Sequence, residues 1–319
     1  MKILAPINEP NYLPAFVEAG ADEFFFGFYE DADQIQFGKY FELNRMSGFA
    51  RDASRFTISN AIDLAKKIKD IGKDAYITLN SAGYTDEQIR YMEEYVYKLV
   101  CAGVDGFIVS CPEAVDLVVR MGGSPVISCV GSVYNKETAT FYQKLGVKRI
   151  IVPRDLSMKE VESLVRKCPE LEFETFIMRN GCILSDGNCL GLHLHKHGGI
   201  CSSIRKSTKK YFLSNPDELP AVEHMQSQYD TCLYRTACGL CGIYQMVKAN
   251  ITACKVVGRL DMHDKVLEDI RIVRDNIDIA KSVSSENEYF SNMRVSPDCT
   301  RKNKNGYSCY FPEIVNPYI

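Results

Sequence analysis

The sequence predicts an α/β protein built as a closed parallel barrel of eight strands and alternating helices, a (β/α)8 or TIM-like barrel. A Cys-rich insertion follows the seventh strand, and an irregular C-terminal tail ends the chain. Three observations predict it. Eight short β-rich runs alternate with helix-forming sequence, the pattern of parallel strands joined by crossover helices. A phrase repeats, as Ala19-Gly-Ala-Asp-Glu-Phe-Phe-Phe26 and Ala102-Gly-Val-Asp-Gly-Phe-Ile-Val109, with echoes at Gly146-Val-Lys-Arg-Ile-Ile-Val152 and Ala249-Asn-Ile-Thr-Ala-Cys-Lys-Val-Val257. In each, a helical run ends at a Gly or Asn suited to the left-handed C-cap, and a strand begins directly. Finally, 319 residues with 46% apolar content suit one barrel. An open doubly wound sheet is the alternative.

In chain order the strands are expected at Lys2–Ala5, Glu23–Gly27, Asp74–Leu79, Gly106–Val109, Pro125–Val130, Arg149–Val152, Glu172–Ile177 and Ala253–Val257. Between them, Ser59–Ile71 reads as a helix with Ala61, Ile62, Leu64, Ala65 and Ile68 on one face. Thr85 is an N-cap for a helix running to Val100, and Ser157-Met-Lys-Glu160 is a capping box opening another. Two intervals exceed ordinary loops, Phe28–Phe56 and Gly181 to about Ala237. Both follow a strand, so both belong to the carboxyl face, where such barrels carry their chemistry. The domain reading is one barrel over 1–280, with the Cys-rich insertion at 178–241, and a tail over 281–319 packed on the barrel.

The totals narrow the function. A formal net charge of -3 offers no general attraction to nucleic acid. No apolar run reaches the roughly 18 residues of a membrane span. Met1-Lys-Ile-Leu-Ala-Pro6 enters a strand directly, without a signal peptide, so a cytoplasmic location is expected. Thirteen cysteines in a reducing compartment read as ligands, not disulfides.

The chemistry centres on Met178-Arg-Asn-Gly-Cys182-Ile-Leu-Ser-Asp-Gly-Asn-Cys189, continued by Gly198-Gly-Ile-Cys201. The preceding strand runs straight into Cys-x6-Cys-x11-Cys, and Cys238-Gly-Leu-Cys241 adds one or two thiols. Four such thiolates serve a zinc ion or an iron–sulfur cluster, and the wide spacing leans toward the cluster. Cys101, Cys129, Cys168 and Cys254 lie in apolar patterns and read as packing. His193-Leu-His-Lys-His197 reads as a solvated loop, lacking the Glu of a zinc-protease helix. The basic run Arg205-Lys206-Ser-Thr-Lys209-Lys210 is equally an anion site or an exposed face.

To about Leu260 the chain resembles the collagenase-like peptidase family U32, a group that includes oxygen-independent iron–sulfur hydroxylases. The matching phrases are Leu4-Ala-Pro6, Ala19-Gly-Ala-Asp22, Ala50-Arg51 with Arg55-Phe-Thr57, and Thr78-Leu-Asn80. Asn135, Gly146-Val-Lys-Arg149, Arg154-Asp-Leu-Ser157, Cys182-x6-Cys189 and Lys255-Val-Val-Gly-Arg259 follow in the family's order. The resemblance implies a [4Fe-4S] cluster on Cys182, Cys189, Cys201 and Cys241. It also implies hydroxylation of a small or medium organic substrate, with prephenate as oxygen donor. Arg51, Asn80, Arg154 and Arg259 are then the substrate-binding groups, guanidinium being suited to bidentate carboxylate recognition. Several positions depart from the family: Val257 replaces its Glu, Met178 its His before the first cluster Cys, and Val130 and Tyr134 a Gln and a His. The rival readings are an RNA base hydroxylase, a true peptidase, and a non-catalytic or electron-transferring subunit. The expected partner is a small-molecule substrate, with a second family subunit or a homodimer possible in form and RNA ranked below.

Overall fold

The computed structural model describes residues 1–30, 36–37, 43–44, 53–182, 185–189, 193–194, 198–199, 237–296 and 309–318. Every strand read from the sequence forms within three residues of its expected end. They are β1 (Lys2–Pro6), β2 (Glu23–Phe26), β3 (Asp74–Leu79), β4 (Gly106–Val109), β5 (Pro125–Ile127), β6 (Arg149–Ile151), β7 (Glu172–Met178) and β8 (Ala253–Val256). Each pairs in parallel with its chain neighbour, and β1 pairs with both β2 and β8 (Leu4 with Glu23, Lys2 with Ala253), which closes the barrel.

The helices are α1 (Leu13–Glu18), α2 (Ile58–Asp70), α3 (Asp86–Cys101), α4 (Pro112–Arg120), α5 (Lys136–Lys144), α6 (Met158–Lys167), α7 (Ile243–Lys248), α8 (His263–Ser282) and α9 (Glu286–Asn292). Their starts follow local chemistry. Thr57 and Asn135 accept the amides of Asn60 and Thr138, while Thr85 with Gln88 and Ser157 with Glu160 close capping boxes. α2 buries Ala61, Leu64, Ala65 and Ile68 against the sheet, the face its periodicity dictates.

The repeated phrase has a structural cause. Gly20, Gly103, Gly146 and Asn250 all take positive φ, at 105, 83, 105 and 58°. Where the phrase carries Asp, the carboxylate reaches back to the preceding strand. Asp22 Oδ2 accepts from Ile3 N and Asp105 Oδ2 from Ala75 N, each at 2.8 Å. The repeat is thus a turn plus a side-chain clamp on the neighbouring strand.

Differences from the sequence reading are local. β5 stops at Ile127, and Cys129–Gly131 winds into a 3-10 turn that ends at Ser132 in the left-handed conformation. His193–Leu194 pairs antiparallel with Gly198–Gly199, where a solvated loop was expected. The tail holds a capped helix, α9, and its Tyr310 and Phe311 are buried.

Barrels of this kind ordinarily fill their interior with branched apolar side chains. Here the lower interior is ionic. Glu23 on β2 accepts from Arg149 on β6 at 2.6 and 3.0 Å, from Lys2 at 2.8 Å and from the Tyr76 hydroxyl at 3.3 Å. Arg149 also donates to Glu172 at 2.7 Å. One layer up, Lys255 on β8 meets Glu174 on β7 at 3.3 Å. Buried charges persist only when each finds a counter-charge, and Glu23 and Arg149 supply each other with one.

Candidate functional site

The carboxyl ends of the strands carry a polar mouth that includes Arg154 and Arg259. Arg154 follows β6 and lies over the face of Phe176 on β7, with Cζ 3.7 Å from the ring centroid. Its Nη1 donates to Asp186 Oδ1 at 2.5 Å and its backbone N to Asp186 Oδ2 at 2.9 Å. Asp186 is buried, so one carboxylate holds both the main chain and the side chain of Arg154. Arg259, just beyond β8, is buried and donates to Thr78 Oγ1 at 3.2 Å. Its carbonyl accepts from Asn8 after β1, whose Oδ1 is 2.6 Å from His263 Nε2. Gly27 is required here: a Cβ on it would stand 2.7 Å from Thr78 Oγ1, 2.8 Å from Ser54 Oγ and 3.1 Å from Arg259 Nη1.

The turn between Cys182 and Cys189 is anchored to two neighbouring strand ends. Asp186–Asn188 forms a 3-10 turn. The Tyr134 hydroxyl lies 3.1 Å from both oxygens of Asp155 and 2.5 Å from Ser185 Oγ, and it accepts from Gly187 N at 3.2 Å. Ser132 Oγ donates to the Gly187 carbonyl at 3.4 Å. Gly187 leaves room for this approach, since a Cβ there would meet Ser132 Oγ at 2.8 Å. Tyr134, one of the departures from the family phrase, is thus the group that ties the cysteine turn to the end of β5.

On the other side of β7, the chain at Ala237–Gly239 runs antiparallel to its end. Arg179 N donates to Ala237 O at 2.7 Å and Gly239 N to Ile177 O at 2.8 Å. Cys238 bridges to Met178 and, in parallel, to Cys309 of the tail. Arg179, at φ 62°, is held by a two-point pair with Asp269 of α8, and the Tyr310 hydroxyl donates to its carbonyl. Burial pushes the Asp269 carboxyl up to about 6, against the pull of Arg179.

The residues singled out from the sequence fall as follows. Arg154 and Arg259 lie at the mouth, and Asn80 is half-buried at the end of β3. Arg51 and Cys201 lie outside the described residues, as do His195, His197 and the basic run at Arg205. Cys182 and Cys189 are half-buried cysteines flanking the Asp186 turn. Cys241 is buried, 3.9 Å from Asn316 Nδ2 of the tail. Among the described residues no three His, Cys, Asp or Glu side chains could share one metal ion. Cys129, read as packing, is buried, but at 3.8 Å from Arg154 Nη1 it belongs to the mouth. Asp186, Tyr134 and Lys255 were missed as site residues. Lys255 had a signal as the one cation in the alternating run of β8, and Tyr134 as a departure from the family phrase.

Comparison with known proteins places this site in context. The tRNA hydroxylation protein P of Helicobacter pylori (strain J99) is 26% identical over 288 residues, covering 87% of this chain and 64% of that protein. The chain therefore spans less than two thirds of that relative's length. The tRNA hydroxylation protein P2 of Bacillus subtilis is 23% identical over 301 residues, covering 90% of this chain and 88% of that one. A collagenase of Porphyromonas gingivalis is 26% identical over 218 residues, covering 64% of this chain and 48% of that protein. Among solved structures, the U32 peptidase Mk0906 aligns with a TM-score of 0.44 and 18% identity, over 56% of this chain and 69% of that one. A family model described as peptidase family U32 matches residues 9–314, and the chain belongs to that family.

Proposed function

We propose that the chain is an oxygen-independent hydroxylase whose redox centre is a [4Fe-4S] cluster. The observation that carries the reaction class is the likeness to two tRNA hydroxylation proteins over 87 and 90% of this chain. Those names also favour a tRNA base as the acceptor. A small organic acceptor is the second reading, favoured by the net charge of -3. A peptidase would need a nucleophile or a metal-bound water.

Cys182, Cys189 and Cys201 with Cys241 would hold the cluster, which supplies electron transfer when bound. The donor set suits it: Cys182, Cys189 and Cys241 are cysteines outside any disulfide, and thiolate is the ligand type such clusters take. Cys238 competes with Cys241 for the fourth position, because it lies beside Met178, four residues before Cys182. The protein's own groups then bind and orient. Arg154, set on Phe176 and fixed by Asp186, and Arg259, fixed by Thr78 and Asn8, offer guanidinium groups to a carboxylate. A dicarboxylate oxygen donor such as prephenate would use both. Asn80 and Arg51 complete the proposed binding set.

Two measurements test this. Iron and acid-labile sulfide in anaerobically purified protein should approach four of each per chain, the cluster's own stoichiometry; a protein carrying neither refutes the cluster. Deleting the gene and mapping tRNA nucleosides by mass spectrometry tests the acceptor. Loss of one hydroxylated base supports RNA, and an unchanged tRNA profile assigns a small acceptor.

A further inference from the structure

Two buried side-chain atoms among the described residues lack a hydrogen-bond partner, Arg154 Nε and Glu174 Oε2. Arg149 Nη1 comes no closer than 3.7 Å to that oxygen, beyond hydrogen-bond reach. Glu174 and Phe176 alternate on β7 and share its inward face, and Phe176 carries Arg154. An unmet donor and an unmet acceptor therefore belong to one stretch of wall. Lys255 of β8 stands directly beside Phe176 in the strand register.

Lys255 is buried and poorly provided for as a cation. An ammonium has three N–H groups to place. Here Nζ has one acceptor, Glu174 Oε1 at 3.3 Å, and the face of Phe25, 4.0 Å from the ring centroid. Its further charged neighbours are the Cys129 thiol, which raises the lysine pKa, and Arg259, a second cation, which lowers it. Burial lowers the lysine pKa, ahead of the raising pull of Glu174, and burial raises that of Glu174. Both directions favour the proton on the carboxyl and a lone pair on Nζ. A desolvated amine of this kind condenses with carbonyl compounds.

We propose that Lys255 is a carbonyl-condensing amine whose partner is a small 2-oxo acid, its carboxylate taken by Arg154 Nε. The Nζ lone pair adds to the carbonyl carbon, forming the C–N bond, and the π pair moves to oxygen. The nitrogen gives up two hydrogens and the oxygen leaves with both as water, so an imine forms without oxidant or reductant. Glu174 passes each proton from nitrogen to oxygen and ends as it began. The step uses no cluster, and it shares only Arg154 with the binding set of the hydroxylase reading.

The test is reductive trapping on the full chain, with pyruvate as probe and cyanoborohydride to fix the imine, followed by tryptic mass mapping. A larger neutral fraction makes an amine the better nucleophile, so Lys255 should be labelled ahead of exposed Lys66 and Lys159. Glu174→Gln should slow the trapping while circular dichroism stays native. An unlabelled Lys255, or labelling at the same rate as the exposed lysines, overturns the proposal. The iron determination is separate, so either reading can fail alone.

Discussion

Replacing Glu23 by Gln tests the ionic barrel interior with almost no change of shape. Glu23 is fully buried and takes donors from Arg149, Lys2 and Tyr76. The amide of Gln keeps one acceptor oxygen and turns the other into a donor, which must face an ammonium or a guanidinium. Arg149 is only 5% exposed at its side chain; it keeps Glu172, which is half in solvent, and Glu174 at 3.7 Å. Removing one partner of a buried pair costs about 3–5 kcal/mol. The retained contact with Glu172 places this case at the lower end. In a chain of this size about 1 kcal/mol moves the midpoint by roughly 2 °C, so Glu23→Gln should melt about 6 °C below the parent. Exposed Glu18→Gln is the control and should stay within about 0.5 kcal/mol. Thermal scans of the three proteins decide it. Equal midpoints for Glu23→Gln and Glu18→Gln would refute the view that these charges are coupled.

Three further outcomes are expected. Gly27→Ala drives a Cβ toward Thr78, Ser54 and Arg259, so it should cost about 1–3 kcal/mol by denaturant unfolding and weaken carboxylate binding in a titration with malonate. The raised carboxyl of Asp269 binds a proton in the native state that an unfolded Asp, titrating near about 3.9, has already lost. Stability should therefore fall as pH rises from about 4 to 6, and Asp269→Asn should flatten that slope in urea titrations. Anaerobic iron content should vanish in Cys182→Ala and persist in Cys168→Ala. Comparing Cys238→Ser with Cys241→Ser then identifies the fourth ligand, and retention of iron in both variants would remove this segment from the site.

Much of the fold was legible because its signals are local. Gly20, Gly103, Gly146 and Asn250 mark helix ends through a backbone conformation that few other residues accept. Ser157 and Glu160 complete their capping box within one turn. β5 ran short because Cys129 and Val130 have strand-forming neighbours, yet the chain must turn at Ser132 to reach Gly187. Cys129 was assigned to packing because its surroundings in sequence are apolar. Arg154, the group that makes it part of the mouth, is 25 residues away. Tyr134 stood out only as a departure from the family phrase, and its role stayed hidden because aromatic residues fit core and rim alike.

Alone, the sequence determined the eight strands, their order, the face that carries the long loops and the family. The strands, their order and that face depend on propensity, caps and periodicity within about a dozen residues, and the family on phrases matched in order along the chain. Only the tertiary structure decided which charges and thiols meet. Glu23 finds Arg149 across 126 residues, Asn8 finds Arg259 across 251, and Cys238 finds Met178 on one side and Cys309 on the other. Barrel closure sets those meetings, because the inward direction of each side chain depends on the register of strands far apart in the chain.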